Sequence, residues 1–136
     1  MISEHAKHAV NAIFTKAAKA NLTVNPEDSI EISQLSDTRL GDLPGKDIVV
    51  LTISSYLFRL LTIFHVNPDK ATAAYFVKSD SERQFHEVFG EHGNLCVGAM
   101  NRDLGNHFLH LGMSTPYALE SKCAPFISEL KPAYVD

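Results

Sequence analysis

Two residues of this chain have types and spacing suited to chemistry. Glu91 and Asn94 stand three positions apart in "FGEHGNLCVGAMNRDLG", Phe89 to Gly105. A carboxylate accepts hydrogen bonds and pairs with cations, and a carboxamide carries a donor and an acceptor on one planar group. Side by side, the first can grip a cationic partner residue and the second can hold a water in fixed orientation. That pair can act on a substrate presented by a partner, provided the face is open. Glu-x-x-Asn also arises often by chance, and a strip of Glu, Asn and Arg is the usual make-up of a solvated helix face. The surroundings of the pair must decide between these readings.

Ser79 with Glu82 forms a capping box, in which each side chain satisfies the other's orphan backbone donor. It predicts a long helix over about residues 80–108. With Glu91 at zero and about 100° per residue, Phe85, Phe89, Cys96, Met100 and Leu104 cluster between roughly 120° and 220°. This is the expected core face. Asn101, Asn94, Gly105, Gly98, Glu91 and Arg102 fall opposite, between roughly 280° and 20°. A glycine inside a helix costs about 1 kcal/mol against alanine, so four in this stretch need a reason. Gly98 and Gly105 share the polar strip, which fits a surface approached closely by a partner. Gly90 flanks the strip. Gly93 falls on the core side, where close packing against a sheet is the expected reason.

The elements that hold this helix read as follows. Ser3 caps a first helix over about 4–20, with Ala6, Val10, Ile13, Phe14 and Ala17 on one face. "SIEISQL" alternates and predicts a half-exposed strand. Residues 36–46 form a polar loop. Two apolar strands follow, about 47–54 and 57–66, turning near Ser54, Ser55 and Tyr56, and their closeness predicts an antiparallel hairpin. Asn67 as cap and Pro68 at the first helical position open a short helix to about Val77. "LHLGMSTPYALES" has strand character, with Pro116 at an edge or a strand start. The tail is readable either as a last strand or as a short helix near Phe126–Leu130. Strands and helices are partly segregated, so the fold class is α+β with an antiparallel sheet.

Composition narrows the function. The 136 residues suit one domain, 1–136, and the net charge of −4 argues against non-specific nucleic-acid binding. Residues 48–66 are mostly apolar, but Arg59 near the centre would cost about 2.5–3.5 kcal/mol in a bilayer, so buried strands are expected and no membrane partner. The start "MISEHAKHAV" lacks a signal pattern, and two cysteines, with Cys96 in an apolar helical context, suit a reducing, cytoplasmic setting. Cys96 reads as a buried structural thiol. The pairs His5/His8 and His107/His110 supply no zinc-site spacing, so no metal is expected, and His107 reads as partly buried. Asn21-Leu22-Thr23 matches a glycosylation acceptor without any sign of secretion.

Glu91-x-x-Asn94-Leu95-x-x-Gly98 resembles the Glu-x-x-Asn-Met/Ile-x-x-Gly signature of the CheC/CheX/FliY chemotaxis phosphatases, and its CheX-like members in particular. "STPYALES" resembles the strand opening that follows the signature helix there. The order of helix, paired strands and capped helices is also similar. The resemblance implies long helices packed on an antiparallel β-sheet, and hydrolysis of the phospho-aspartate of a CheY-like receiver domain. Asn94 would orient the attacking water and Glu91 would pair with the receiver's lysine. Gly98, Asn101 and Arg102 would belong to the partner-binding surface. The resemblance implies no cofactor of the chain's own, Mg²⁺ bound by the receiver, and a homodimer. His8-x-x-Asn11 in the first helix lacks the carboxylate, so a single-site, CheX-like chain is expected. His92-Gly93 and the glycine-free turn at 54–56 depart from the family pattern. A non-catalytic receiver-binding module using the same helix face is the alternative.

Overall fold

Asp47–Ser54 is rich in Val, Ile and Thr, which suit a pleated, buried surface, and it becomes the central strand β1. The computed structural model describes residues 2–34, 42–77, 82–132 and 134–135. β1 pairs antiparallel with β2 (Arg59–Val66), in register from Asp47↔Val66 to Ser54↔Arg59. The hairpin turn needs no glycine. Ser55 Oγ accepts from the N–H groups of Leu57 and Phe58 at 3.0 and 3.2 Å, and Ser55 N–H donates to Phe58 O at 2.9 Å.

The other edge of β1 is shared by β3 (Gly112–Met113) and β4 (Tyr117–Glu120), both antiparallel to it. Residues 114–116 separate them. Pro116 has no N–H to give a ladder, so it stands at the start of β4. Ser114 spans the gap: its N–H donates to Thr52 O at 2.9 Å, and its Oγ accepts from Thr52 N–H at 2.9 Å.

Three helices cover one face of this sheet. Helix α1 (Glu4–Asn21) is capped by Ser3 Oγ, which accepts from Ala6 N–H. Next come α2 (Lys70–Val77) and α3 (Glu82–Leu104). Val49, Leu51, Ile53, Phe64 and Val66 face these helices and bury Phe85, Phe89, Cys96, Val97, Met100 and Leu104 of α3. Each large apolar side chain taken from water stabilises the fold by about 1.5–3 kcal/mol, so this layer is the main core. On the other face Ile48 and Val50 meet Ala124 and Ile127. These two residues belong to α4 (Ala124–Ser128), which follows a 3₁₀ turn at Ser121–Cys123 and settles the tail as helical. The fold class is therefore α+β, with long helices on an open antiparallel sheet that has four strands among the described residues.

Several local expectations are corrected. Residues 29–34 form no strand. Ile30 and Ile32 alternate correctly, but a strand persists only against a ladder partner, and this segment pairs with none of the described strands. The cap of α2 is Asp69, whose Oδ1 accepts from Thr72 N–H at 2.9 Å. Asn67 is occupied elsewhere, accepting from Lys46 N–H at 2.8 Å. β2 starts at Arg59, two residues after its expected start. α3 ends at Leu104, and the N–H groups of His107 and Phe108 turn back to Leu104 O. His107 thus leaves the helical wheel and is exposed. The Ser79 cap, Leu35 at the end of the expected strand and residues 36–41 of the polar loop lie outside the described residues. No helix among those described is long and apolar enough to cross a membrane, and residues 48–66 are instead the β1–β2 hairpin.

Candidate functional site

The geometry of α3 follows from its buried side. Phe85, Phe89, Cys96, Met100 and Leu104 are all buried against the sheet, as the wheel predicts. Glu91 and Asn94 therefore project from the free side, and both are exposed. They stand on the rim of an open groove of about 440 Å³ between α3 and the β1–β4 edge. Pro116 and Ala118 form the facing wall, and His86 and Val49 also line the space. The groove thus sets the Glu87 and Glu91 carboxylates and the Asn94 carboxamide opposite an apolar wall. That arrangement can seat a polar group at the rim while excluding part of the surrounding water.

Gly90 sets the width of this groove. A Cβ added there would meet Pro116 Cγ at 3.5 Å, ordinary van der Waals contact, so the wall already lies close to the helix backbone. Gly93 answers to the core. A Cβ there would come within 3.3 Å of Leu51 Cδ1 and 3.4 Å of Phe64 Cε2, so its absence lets α3 settle on the sheet. Gly98 is different, because an added Cβ meets nothing within 4 Å. Nothing packed in the described structure accounts for this glycine. Gly105 lies just past α3, its N–H donating to Asn101 O at 2.9 Å.

The remaining expected surface residues divide. Arg102 is exposed. Asn101 is half-buried, with its amide oxygen buried and without a hydrogen-bond partner among the described residues. At its wheel position it borders the strip and turns toward the protein interior. His92, one of the departures from the family pattern, points away from the groove. Its Nδ1 lies 3.0 Å from Asn21 O at the end of α1, and its ring meets Phe76 edge-on at 5.3 Å. Together with the core-facing Gly93, it leaves the Glu91–Asn94 rim unaltered. Cys96 is buried, and burial pushes its thiol up to about 11. Cys96 and Cys123 are both free thiols.

Sequence reasoning missed two features of the groove. His86 reaches it from the edge of the core face, held by Asp47 Oδ2 at 3.0 Å from its Nε2. No local spacing links residues 47 and 86, because strand-to-helix packing alone brings them together. The wall at Pro116 had a signal, the proline after "ST", but one that spoke of a strand start and not of a site.

No protein-family model matches the chain, and no curated protein matches it by sequence. Solved structures do match. The fold is similar to that of the chemotaxis protein CheX from Vibrio vulnificus, with a TM-score of 0.65 and 12% identity over 82% of this chain and 78% of that one. A CheC-like superfamily protein from Shewanella sp. PV-4 gives a TM-score of 0.67 and 10% identity over 82% of this chain and 75% of that one. The chain has a CheC/CheX-like fold.

Proposed function

We propose that this chain acts in chemotaxis or a related two-component pathway, as a phosphatase that removes the phosphoryl group from the aspartate of a CheY-like receiver domain. The observation that carries the proposal is the exposed Glu91–Asn94 pair on the rim of a groove, on a helix of a CheC/CheX-like fold. Phosphoryl transfer asks mainly for an in-line water and for charge stabilisation, and an amide can align the water without serving as a strong base. In this reading the Asn94 carboxamide holds a water in line with phosphorus. The water oxygen forms the new P–O bond as the bond to the aspartate oxygen breaks. The receiver's aspartate leaves as carboxylate, and the water's two protons stay on the inorganic phosphate formed, which can yield one of them to solvent. Glu91 accepts from the receiver's lysine and fixes the docking. Mg²⁺ stays with the receiver. Gly98 and Arg102 extend the docking face along α3, with Asn101 at its border, and a receiver partner would place the chain in the cytoplasm.

Homodimer formation through the sheet belongs to the same reading. It is supported by the outer edge of β2, which carries no described strand, and by the exposed Tyr117 and Leu119 on β4. Exposed edges and apolar side chains favour strand-mediated association. Leu95, exposed beside Asn94, fits docking by itself. A receiver-binding module without hydrolysis is therefore the second reading. The test is the lifetime of the acyl phosphate on a Mg²⁺-loaded receiver, with and without the chain. A shortened lifetime supports the phosphatase, binding with an unchanged lifetime selects the module, and no binding to any receiver of the same genome removes both.

A further inference from the structure

The structure assigns Asp47, Glu82 and His86 as a binding site for one divalent transition-metal cation of the zinc type, with His86 shared by the groove that Glu91 and Asn94 border. One donor atom from each of the three lies within 4.8 Å of the other two. Glu82 and His86 are four apart on α3, so they share a face, and Asp47 opens β1 beneath them. His86 Nε2 and Asp47 Oδ2 are 3.0 Å apart. Two ligands of a tetrahedral cation bound at about 2.0–2.2 Å lie about 3.4 Å from each other. A cation would therefore enter between Asp47 and His86 with a small separation of the two. Glu82 is exposed and can turn to complete the set.

Charge points the same way. Two carboxylates with a neutral imidazole carry a charge of −2, which the neighbouring Lys46 ammonium brings to −1 until a divalent cation displaces it. Asp47 is only 5% exposed, and its hydrogen-bond partner is a histidine that is charged only when protonated. A carboxylate buried at a strand–helix junction calls for positive charge, which the exposed Lys46 ammonium supplies in part, and this burial distinguishes Asp47 from an ordinary acidic surface patch. Mixed imidazole and carboxylate donors suit zinc, and cobalt as its spectroscopic stand-in, better than Mg²⁺ or Ca²⁺, which take oxygen alone. The Lys46 ammonium lies 3.0 Å from Glu82 Oε1 and competes for this carboxylate. Its side chain is 64% exposed and free to swing out. His86 also lines the groove, which leaves a path for the cation.

The test uses the full chain, stripped with a chelator and titrated with Zn²⁺ by calorimetry and with Co²⁺ by visible absorption. One equivalent should bind. His86→Gln and Glu82→Gln should each weaken binding by more than the roughly 10–100-fold that loss of an outer partner costs. Lys46→Gln should tighten it. Glu82 is exposed, so Glu82→Gln keeps the test decisive should His86→Gln unfold, with circular dichroism as the check. The inference is overturned if no single equivalent binds, if Glu82→Gln binds as the parent does, or if uptake is lost instead in a His5→Ala/His8→Ala variant.

Discussion

Replacing Gly98 with alanine should make the protein more stable and the proposed hydrolase poorer. An added Cβ at Gly98 meets no atom within 4 Å, and the position does not carry a positive φ. The usual gain of alanine over glycine inside a helix, about 0.8–1.0 kcal/mol, is therefore available in full. For a chain of this size that raises the melting temperature by roughly 3–5 °C. Gly93→Ala gains the same propensity but drives a methyl to 3.3 Å from Leu51 Cδ1 and 3.4 Å from Phe64 Cε2. Overpacking costs about 1–3 kcal/mol, so the net effect there should run from neutral to a loss of about 2 kcal/mol. If α3 is approached closely by a receiver, the Gly98 methyl should raise KM for the phospho-receiver while the melting temperature goes up. Calorimetric unfolding and a phosphate-release assay on the same preparation read both. A destabilised Gly98→Ala would refute the packing argument. A stabilised variant with unchanged KM would remove the close-approach explanation of this glycine.

Other consequences are local. Cys96 has its thiol raised to about 11 by burial, so it should resist a thiol reagent at pH 8 in the folded protein and react only in denaturant. Rapid modification of Cys96 in the native state would contradict its placement. Burial lowers the pKa of His65 below its ordinary 6.5, and both ring nitrogens lack a partner among the described residues. Between 6.5 and the lowered folded value the unfolded chain binds more protons, so stability should fall as pH drops through 6.5 and level off below the folded value. Denaturant midpoints from pH 7.5 to 5 should show this slope in the parent and lose part of it in His65→Leu; identical slopes would argue against it. Asp69→Ala should cost about 1 kcal/mol through loss of the α2 cap, whereas Asn67 should matter through Lys46 and not through the helix.

The long helix was legible because its signal is redundant. Five large residues at helical spacing define one face, and fixing that face fixes where Glu91 and Asn94 must point. The hairpin was legible for a similar reason, since two apolar runs rich in β-branched residues and separated by a short turn have few other solutions. Legibility failed where the outcome depended on partners distant in sequence. Ile30 and Ile32 alternate like a strand, yet no sheet edge receives them. Asn67-Pro68 reads as a helix start, but the Lys46 N–H, 21 positions away, holds the Asn67 side chain. The facing wall of the groove and the Asp47–His86 contact depend on how β1, β4 and α3 dock, and no periodicity encodes that. Glu91 and Asn94 could therefore be named from sequence, whereas the groove they border and its far wall could not.

The central claim assigns different work to the two residues, and steady-state kinetics on a Mg²⁺-loaded phospho-receiver separates them. Asn94→Ala should lower kcat by about 100-fold or more with KM nearly unchanged, because a misplaced water is felt in the transition state. Glu91→Ala should act chiefly on KM, through lost docking to the receiver's lysine. Equal rates for the parent, Asn94→Ala and Glu91→Ala would contradict the account.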